Sequence, residues 1–265
     1  MSGFDPAWLS LREPVDHRSR NAALLQAVAV RFAGREAITV VDLGCGTGSN
    51  LRALAPRLEA RQRWTLVDHD PALLCAAKAR VAAEVAAHGI EVACVQADLS
   101  ADLDAVLGDG PDLVSAAALF DLVSAEFIDR VAAAVTDRRA AFYTVLSYDG
   151  TERWDPPHPF DAAMHGAFLR HQARDKGFGP AAGSSATQAL VSAFLARGYR
   201  VATGDSPWIL GPEDAALVAA NAAGIAQAAR ETGEVPDGHV DAWLAARRAA
   251  TACIIGHQDL LALPA

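Results

Sequence analysis

Seven residues, Asp42-Leu43-Gly44-Cys45-Gly46-Thr47-Gly48, constrain this chain more than any other stretch. They close a β-branched run, Ala37 to Leu43 (AITVVDL), of the kind that forms a buried parallel strand. The residues from Asn50 to Leu58 then read as a helix. A strand that ends in glycines and opens a helix leaves backbone N–H groups free at the helix start, where negative groups are favoured. Glycine permits positive φ there and lets a ligand come close to the backbone. A phosphate loop ends in Gly-Lys-Ser/Thr, but Gly48-Ser49-Asn50 has no lysine. A dinucleotide fingerprint needs G-x-G-x-x-G, and its third glycine would fall on Ser49. The spacing here is G-x-G-x-G. A tight strand-to-helix turn without a ligand is the plain alternative.

The rest of the chain extends the same pattern. Residues 6 to 33 read as helical, with Leu24, Leu25, Val28 and Phe32 on one face and Pro14 dividing a short piece from a longer one. Further strands are expected at Arg63–Asp68, Ile90–Gln96, Asp112–Ala117 and Ala140–Leu146, with helices from Pro71 to about His88 and from Ser124 to Val135. Alternating strands and helices predict an α/β fold, a Rossmann-like doubly wound sheet. Past residue 147 the rhythm changes. Residues 148–184 carry Trp154, clustered prolines and a glycine-rich end, too much for a simple connection, and read as a cap insertion. A helix at 186–197, a strand at 199–203, helices at 213–231 and 238–250 and a strand at 251–257 follow. No repeat or linker divides the chain, so one domain over 1–265 is expected: an N-terminal helical segment (1–35), a core (36–147), the cap (148–184) and a C-terminal part with a helical insertion (185–265).

Two acids stand at the ends of the next strands. Asp68 lies 20 residues beyond Gly48, where a carboxylate can accept both hydroxyls of a ribose, or simply cap the helix opening at Asp70-Pro71. Asp98, followed by Leu99, ends the third strand. Small residues, Ser115 to Ala118, end the fourth.

Taken with the turn, this order resembles motif I (Asp/Glu-x-Gly-x-Gly-x-Gly) and its successors in the class I S-adenosylmethionine-dependent methyltransferases, over roughly residues 36 to 147. The resemblance implies S-adenosyl-L-methionine as cofactor and a seven-stranded sheet whose last strand is antiparallel, with 199–203 and 251–257 supplying the final two strands. It implies that Asp42, Gly44, Cys45, Gly46 and Gly48 hold the methionine end, Asp68 the ribose and Asp98 the adenine amino group. Leu99 would cover the ring, His69 pack on its face, and Ala116 leave room for the methionine. An N-terminal arginine, best Arg20, would pair with the cofactor carboxylate, which suits a guanidinium. The Asn-Pro-Pro-Tyr signature of amino-methylating nucleic-acid enzymes is absent; Ala117-Ala118-Leu119-Phe120 stands in its place.

Methyl transfer needs in-line geometry more than chemistry, and positioning alone supplies on the order of 7–11 kcal/mol in favourable systems. The expected function is therefore methyl transfer to a small-molecule oxygen, nitrogen or sulfur, with His171, Tyr148 and Asp149 as catalytic candidates. Trp154, His165, Gln172, Lys176 and Trp208 are candidates for the substrate pocket. The spacing of His158, His165 and His171 fits no zinc pattern, so no metal is expected. A net charge of −9 argues against nucleic acid. Four scattered cysteines, no signal-like start and no long apolar run point to a cytoplasmic chain without membrane spans. The helices at 213–250 offer a face for a homodimer or for the cap. A non-catalytic S-adenosylmethionine-binding or regulatory protein and a nucleotide-dependent oxidoreductase are the competing readings.

Overall fold

The β-branched run becomes the central strand of a large sheet. A computed structural model describes residues 5–248 and 250–265, apart from the side chains of Glu84 and His88. In chain order its elements are α1 (Pro6–Ser19), α2 (Ala22–Phe32), β1 (Ala37–Leu43), α3 (Ser49–Leu54), β2 (Arg61–Asp68), α4 (Pro71–Arg80), α5 (Ala82–His88), β3 (Glu91–Gln96), α6 (Leu99–Leu107) and β4 (Leu113–Ala117). Then come α7 (Ala125–Asp137), β5 (Ala141–Asp155), α8 (Asp161–Gln172), α9 (Ala186–Leu195), β6 (Tyr199–Asp205), β7 (Trp208–Leu210), α10 (Ala215–Thr232), α11 (Asp237–Arg247) and β8 (Ala252–Pro264).

The sheet order is β3-β2-β1-β4-β5-β8-β6, with β7 paired to β8. Strands β1 to β5 are parallel, and β8 runs antiparallel to its neighbours β5, β6 and β7. The order reverses between β1 and β4, which opens a crevice at their carboxyl ends. Side chains alternate across the sheet, so neighbours on β5 feed opposite cores: Phe142 packs on Phe120 and Phe194 under α7 and α9, while Tyr143 faces the layer of α2, α3 and α10.

Several boundaries depart from the sequence expectation. Pro14 sits inside α1; the break falls at Arg20, whose backbone turns extended, and Asn21 then caps α2 by accepting Leu24 N–H. The helix expected up to His88 is split at Val81. Helix α6 was not anticipated, although Leu99, Leu103 and Leu107 form its buried stripe and Asp98 caps it.

The largest departure is the length of β5 and β8. The segment expected to start the cap is the second half of β5, which pairs with β8 out to Asp155↔Ala252. This arm bends at register shifts between Thr144 and Ser147 and between Tyr148 and Glu152. At the first, Leu146 adopts φ 60°, and its displaced N–H is donated to Asp259 Oδ1 at 2.9 Å. Fully buried Asp259 also accepts Asn21 N–H with Oδ2 at 2.8 Å, tying the bulge to the start of α2. Among the described residues, no helix is long and apolar enough to cross a membrane.

Candidate active site

The glycine turn is braced from two sides. Gly44, Gly46 and Gly48 take φ of 63°, 54° and 78°. Asp68, at the end of the neighbouring strand, accepts Gly46 N–H with Oδ2 at 2.9 Å and Asp70 N–H with Oδ1 at 3.0 Å. Space is tight around the glycines: a Cβ on Gly48 would lie 2.9 Å from Val81 Cγ1, and one on Gly44 3.1 Å from Leu119 Cδ1. Helix α1 lies over the turn, with Leu9 Cδ1 3.4 Å from where a Gly46 Cβ would stand. Glu13 fixes α1 there, accepting from Arg52 at 2.6 and 2.8 Å and from Arg80 at 2.7 Å.

Beneath the turn runs a buried polar chain. Arg20 Nη1 donates to Asn50 Oδ1 at 2.8 Å, and Asn50 Nδ2 donates to Asp42 Oδ1 at 2.6 Å and to Ser115 Oγ at 2.5 Å. Burial pushes the Asp42 carboxyl up to about 7, against the lowering pull of Asn50 and the Arg20 guanidinium. Asp42 Oδ2 and Arg20 Nε are buried without hydrogen-bond partners. Such groups cost about 1–3 kcal/mol each when left unmatched. An acid and a base with open capacity at one turn suit a zwitterionic ligand. Asn50 was missed from sequence because nothing local marks it; it matters only because the first turn of α3 faces β1 and β4.

The expected acids take their places at neighbouring strand ends. β2 and β3 pair up to Asp68↔Gln96, and Ala97 N–H donates to Asp68 O at 3.1 Å. Asp98 is exposed, caps α6 and accepts from Ser100; hydrogen bonds from Ser100 lower its pKa. Leu99 is buried on α6, Ala116 is buried in β4, and His69 is half-exposed with Nδ1 3.3 Å from Asp68 Oδ1. Cys45 is buried, its N–H donated to Val67 O at 2.9 Å, and burial raises its thiol pKa well above the usual value.

A second polar group gathers beyond the end of β4 and beside the bulge of β5. Asp121, in the turn after β4, is buried; burial lifts its carboxyl to about 6, eased by the nearby Arg12 and by Gln172. Gln172, at the end of α8, donates Nε2 to Asp121 Oδ2 at 3.1 Å. Asp121 Oδ1 and Gln172 Oε1 have no partners, and neither does Ser147 Oγ on the β5 bulge. Tyr148 pairs with His257 across β5 and β8, and its hydroxyl meets His165 Nε2 at 3.2 Å. His257 is buried and driven down to about 3, chiefly by burial and then by Arg12. Asp121 and His257 were not singled out from sequence; an acid just past a strand's carboxyl end was the available signal for Asp121.

Other candidates are committed elsewhere. His171 Nε2 meets Glu231 Oε2 of α10 at 2.7 Å, on the outer side of α8. Asp149 accepts from Thr151 N–H and Oγ1 at 2.8 and 2.7 Å. Trp154 packs edge-on against Trp243, with Arg247 over its ring. Trp208 donates Nε1 to Asp16 at 3.0 Å under the Arg12 guanidinium, so it anchors α1. Lys176 lies half-buried in the loop after α8. His158 is placed by the start of α8, His165 by Tyr148 and His171 by Glu231.

Residues 40–150 match a methyltransferase-domain family. No curated protein matches the chain in sequence. Among solved structures, the chain is similar to the YcgJ protein of Bacillus subtilis, at 12% identity and TM-score 0.52, over 92% of this chain and 99% of that one. It is similar to an S-adenosylmethionine-dependent methyltransferase from Geobacter sulfurreducens in complex with S-adenosyl-L-homocysteine, at 16% identity and TM-score 0.51, over 98% and 99% of the two chains. It is also similar to the cyclopropane synthase MmaA2 of Mycobacterium tuberculosis, at 10% identity and TM-score 0.53, over 98% and 94%. At these identities the likeness is one of fold.

Proposed function

We propose that this chain, whose residues 40–150 match a methyltransferase-domain family, is an S-adenosylmethionine-dependent methyltransferase that methylates an oxygen, nitrogen or sulfur of a small molecule, by in-line attack with catalysis mainly by positioning. The observation that carries this reading is the open capacity of a buried acid and a buried guanidinium below the turn: Asp42 Oδ2 and Arg20 Nε are both without partners. In this reading Asp42 and the turn take the ammonium of the methionine moiety and Arg20 its carboxylate. Asp68 holds the ribose while keeping its brace on the turn, Asp98 receives the adenine amino group, and Leu99 and His69 flank the ring. S-adenosylmethionine supplies an electrophilic methyl on a sulfonium. The chain supplies orientation, with α1 above the turn and the β5 bulge setting Ser147 and Tyr148 at the edge beyond it.

In this reading the polar group beyond β4 and beside the β5 bulge receives the acceptor. Net charge −9 fits a small organic acceptor better than nucleic acid. Calorimetric titration with S-adenosylmethionine, S-adenosylhomocysteine and NAD tests the cofactor half. Binding of NAD alone would overturn it. Transfer of labelled methyl across a panel of small hydroxyl, amine and thiol compounds tests the catalytic half, and a chain that binds the cofactor but labels none of them is a binder.

A further inference from the structure

Asp121 and Gln172 present an unusual face. Both are buried, one in the turn after β4 and the other at the end of α8. A carboxylate only accepts, so the Gln172 amide must turn its NH₂ toward Asp121, and it does, at 3.1 Å. That choice sends its carbonyl the other way. Asp121 Oδ1 and Gln172 Oε1 are left, both buried and both without a donor. Gly183 (φ 54°) stands beside Gln172; a Cβ there would lie 3.8 Å from Gln172 Oε1, with nothing nearer. Arg12 of α1, the cation that acts on Asp121, is already held by Asp16 at 2.8 Å. Two adjoining acceptors need a group with at least two N–H donors, and a hydroxyl brings one.

We propose that Asp121 and Gln172 form the acceptor subsite, and that the compound methylated is a small primary amine, arriving as its ammonium. This rests on the methyl-transfer reading above and names its substrate class. The ammonium donates to Gln172 Oε1 and gives one proton to Asp121 Oδ1. The freed nitrogen lone pair forms the N–C bond to the methyl as the C–S bond breaks, its electron pair staying on sulfur. The products are a methylated ammonium and neutral S-adenosylhomocysteine, and Asp121 releases its proton to solvent.

The test uses matched probes on the full chain: benzylamine against benzyl alcohol, and cyclohexylamine against cyclohexanol, by calorimetry near neutral pH. Protein loaded with S-adenosylhomocysteine should bind each amine at least tenfold tighter than its alcohol. Asp121→Asn and, separately, Gln172→Met should each erase that preference; two variants guard against one failing to fold. Equal binding of alcohols, an amine preference intact in Asp121→Asn, or no amine binding at millimolar concentration overturns the proposal. Uptake of S-adenosylhomocysteine is measured first and judges the cofactor reading alone. The amine titrations are repeated on the free protein, so the subsite is judged whichever way the first result falls.

Discussion

The carboxylate of Asp68 accepts the backbone N–H of Gly46 at 2.9 Å, so the end of β2 holds the turn that follows β1. One side chain thus shapes the turn and, in the proposed reading, also takes the ribose. Asp68→Ala removes both roles, and S-adenosylhomocysteine binding should weaken by about 1–3 kcal/mol through lost charge-assisted hydrogen bonds. Asp68→Asn keeps one accepting oxygen and should lose less. Calorimetric titration checks this; unchanged affinity in a folded Asp68→Ala variant removes the ribose assignment.

Glycine at position 48 answers to two separate demands. Its φ of 78° disfavours any side chain, and a Cβ would press on Val81 Cγ1 at 2.9 Å. Gly48→Ala should cost about 1–3 kcal/mol of stability. Gly224 in the middle of α10 meets nothing within 4 Å. Gly224→Ala should stabilise by about 0.5–1 kcal/mol through helix propensity and a less free unfolded chain. Urea unfolding of both variants reads the opposite signs, and destabilisation by Gly224→Ala would count against the packing of α10 described above.

The alternation of apolar runs with helical segments made the core readable, because β4 and the later halves of β1 and β2 are buried on both faces. The outer half of β5 was unreadable for the converse reason. Asp149 to Arg153 are polar or small, and they are strand only because β8 pairs with them. Helix α6 carried a legible stripe of leucines, but in sequence Asp98 reads as an adenine acceptor or a plain turn residue, not as the cap of a helix. The turn and its acids could be read at short range. Asn50, Asp121 and the partner of His171 could not, since their meaning lies in contacts between residues far apart in sequence: 65 positions separate Asn50 from Ser115 and 60 separate His171 from Glu231.

Asp42 should make stability depend on pH. Its carboxyl is raised to about 7 by burial, from 3.8. Between those values the folded chain holds a proton that the unfolded chain has lost, so stability falls as pH rises through this window and is level above it. The slope approaches about 1.4 kcal/mol per pH unit while one such group titrates. His257, lowered to about 3, contributes the opposite slope below its ordinary value near 6.5. The comparison is therefore with Asp42→Asn, which keeps His257. The difference in unfolding free energy, wild type minus variant, should decline from pH 4 to pH 7. A difference flat across that range would show that Asp42 is ionised throughout. If the cofactor ammonium sits on Asp42, binding favours the ionised form, and affinity for S-adenosylhomocysteine should rise from pH 6 to pH 8.

Glu13 ties the N-terminal helix to the site. Its two oxygens take a fork from Arg52 and a further bond from Arg80, and these arginines belong to α3 and α4 on either side of the turn. With α1 held, Leu9 sits over Gly46. Glu13→Gln keeps the shape and removes the charge, leaving Arg52 nearly buried without its counterion. A loss of about 2 kcal/mol follows, below the cost of breaking a fully buried pair because Arg80 is one-third exposed. The more telling readout is kinetic. If α1 covers the bound cofactor, weakening its tether should speed S-adenosylhomocysteine release severalfold in stopped-flow displacement while the on-rate changes less. Arg18→Gln is the control: it loosens α1 from Asp214, at the far side of the helix from the turn's arginines. Faster release in Glu13→Gln but not in Arg18→Gln would place the cover at Leu9 and the Glu13 fork. Equal release rates in wild type and Glu13→Gln would leave α1 a structural brace with no hold on the ligand.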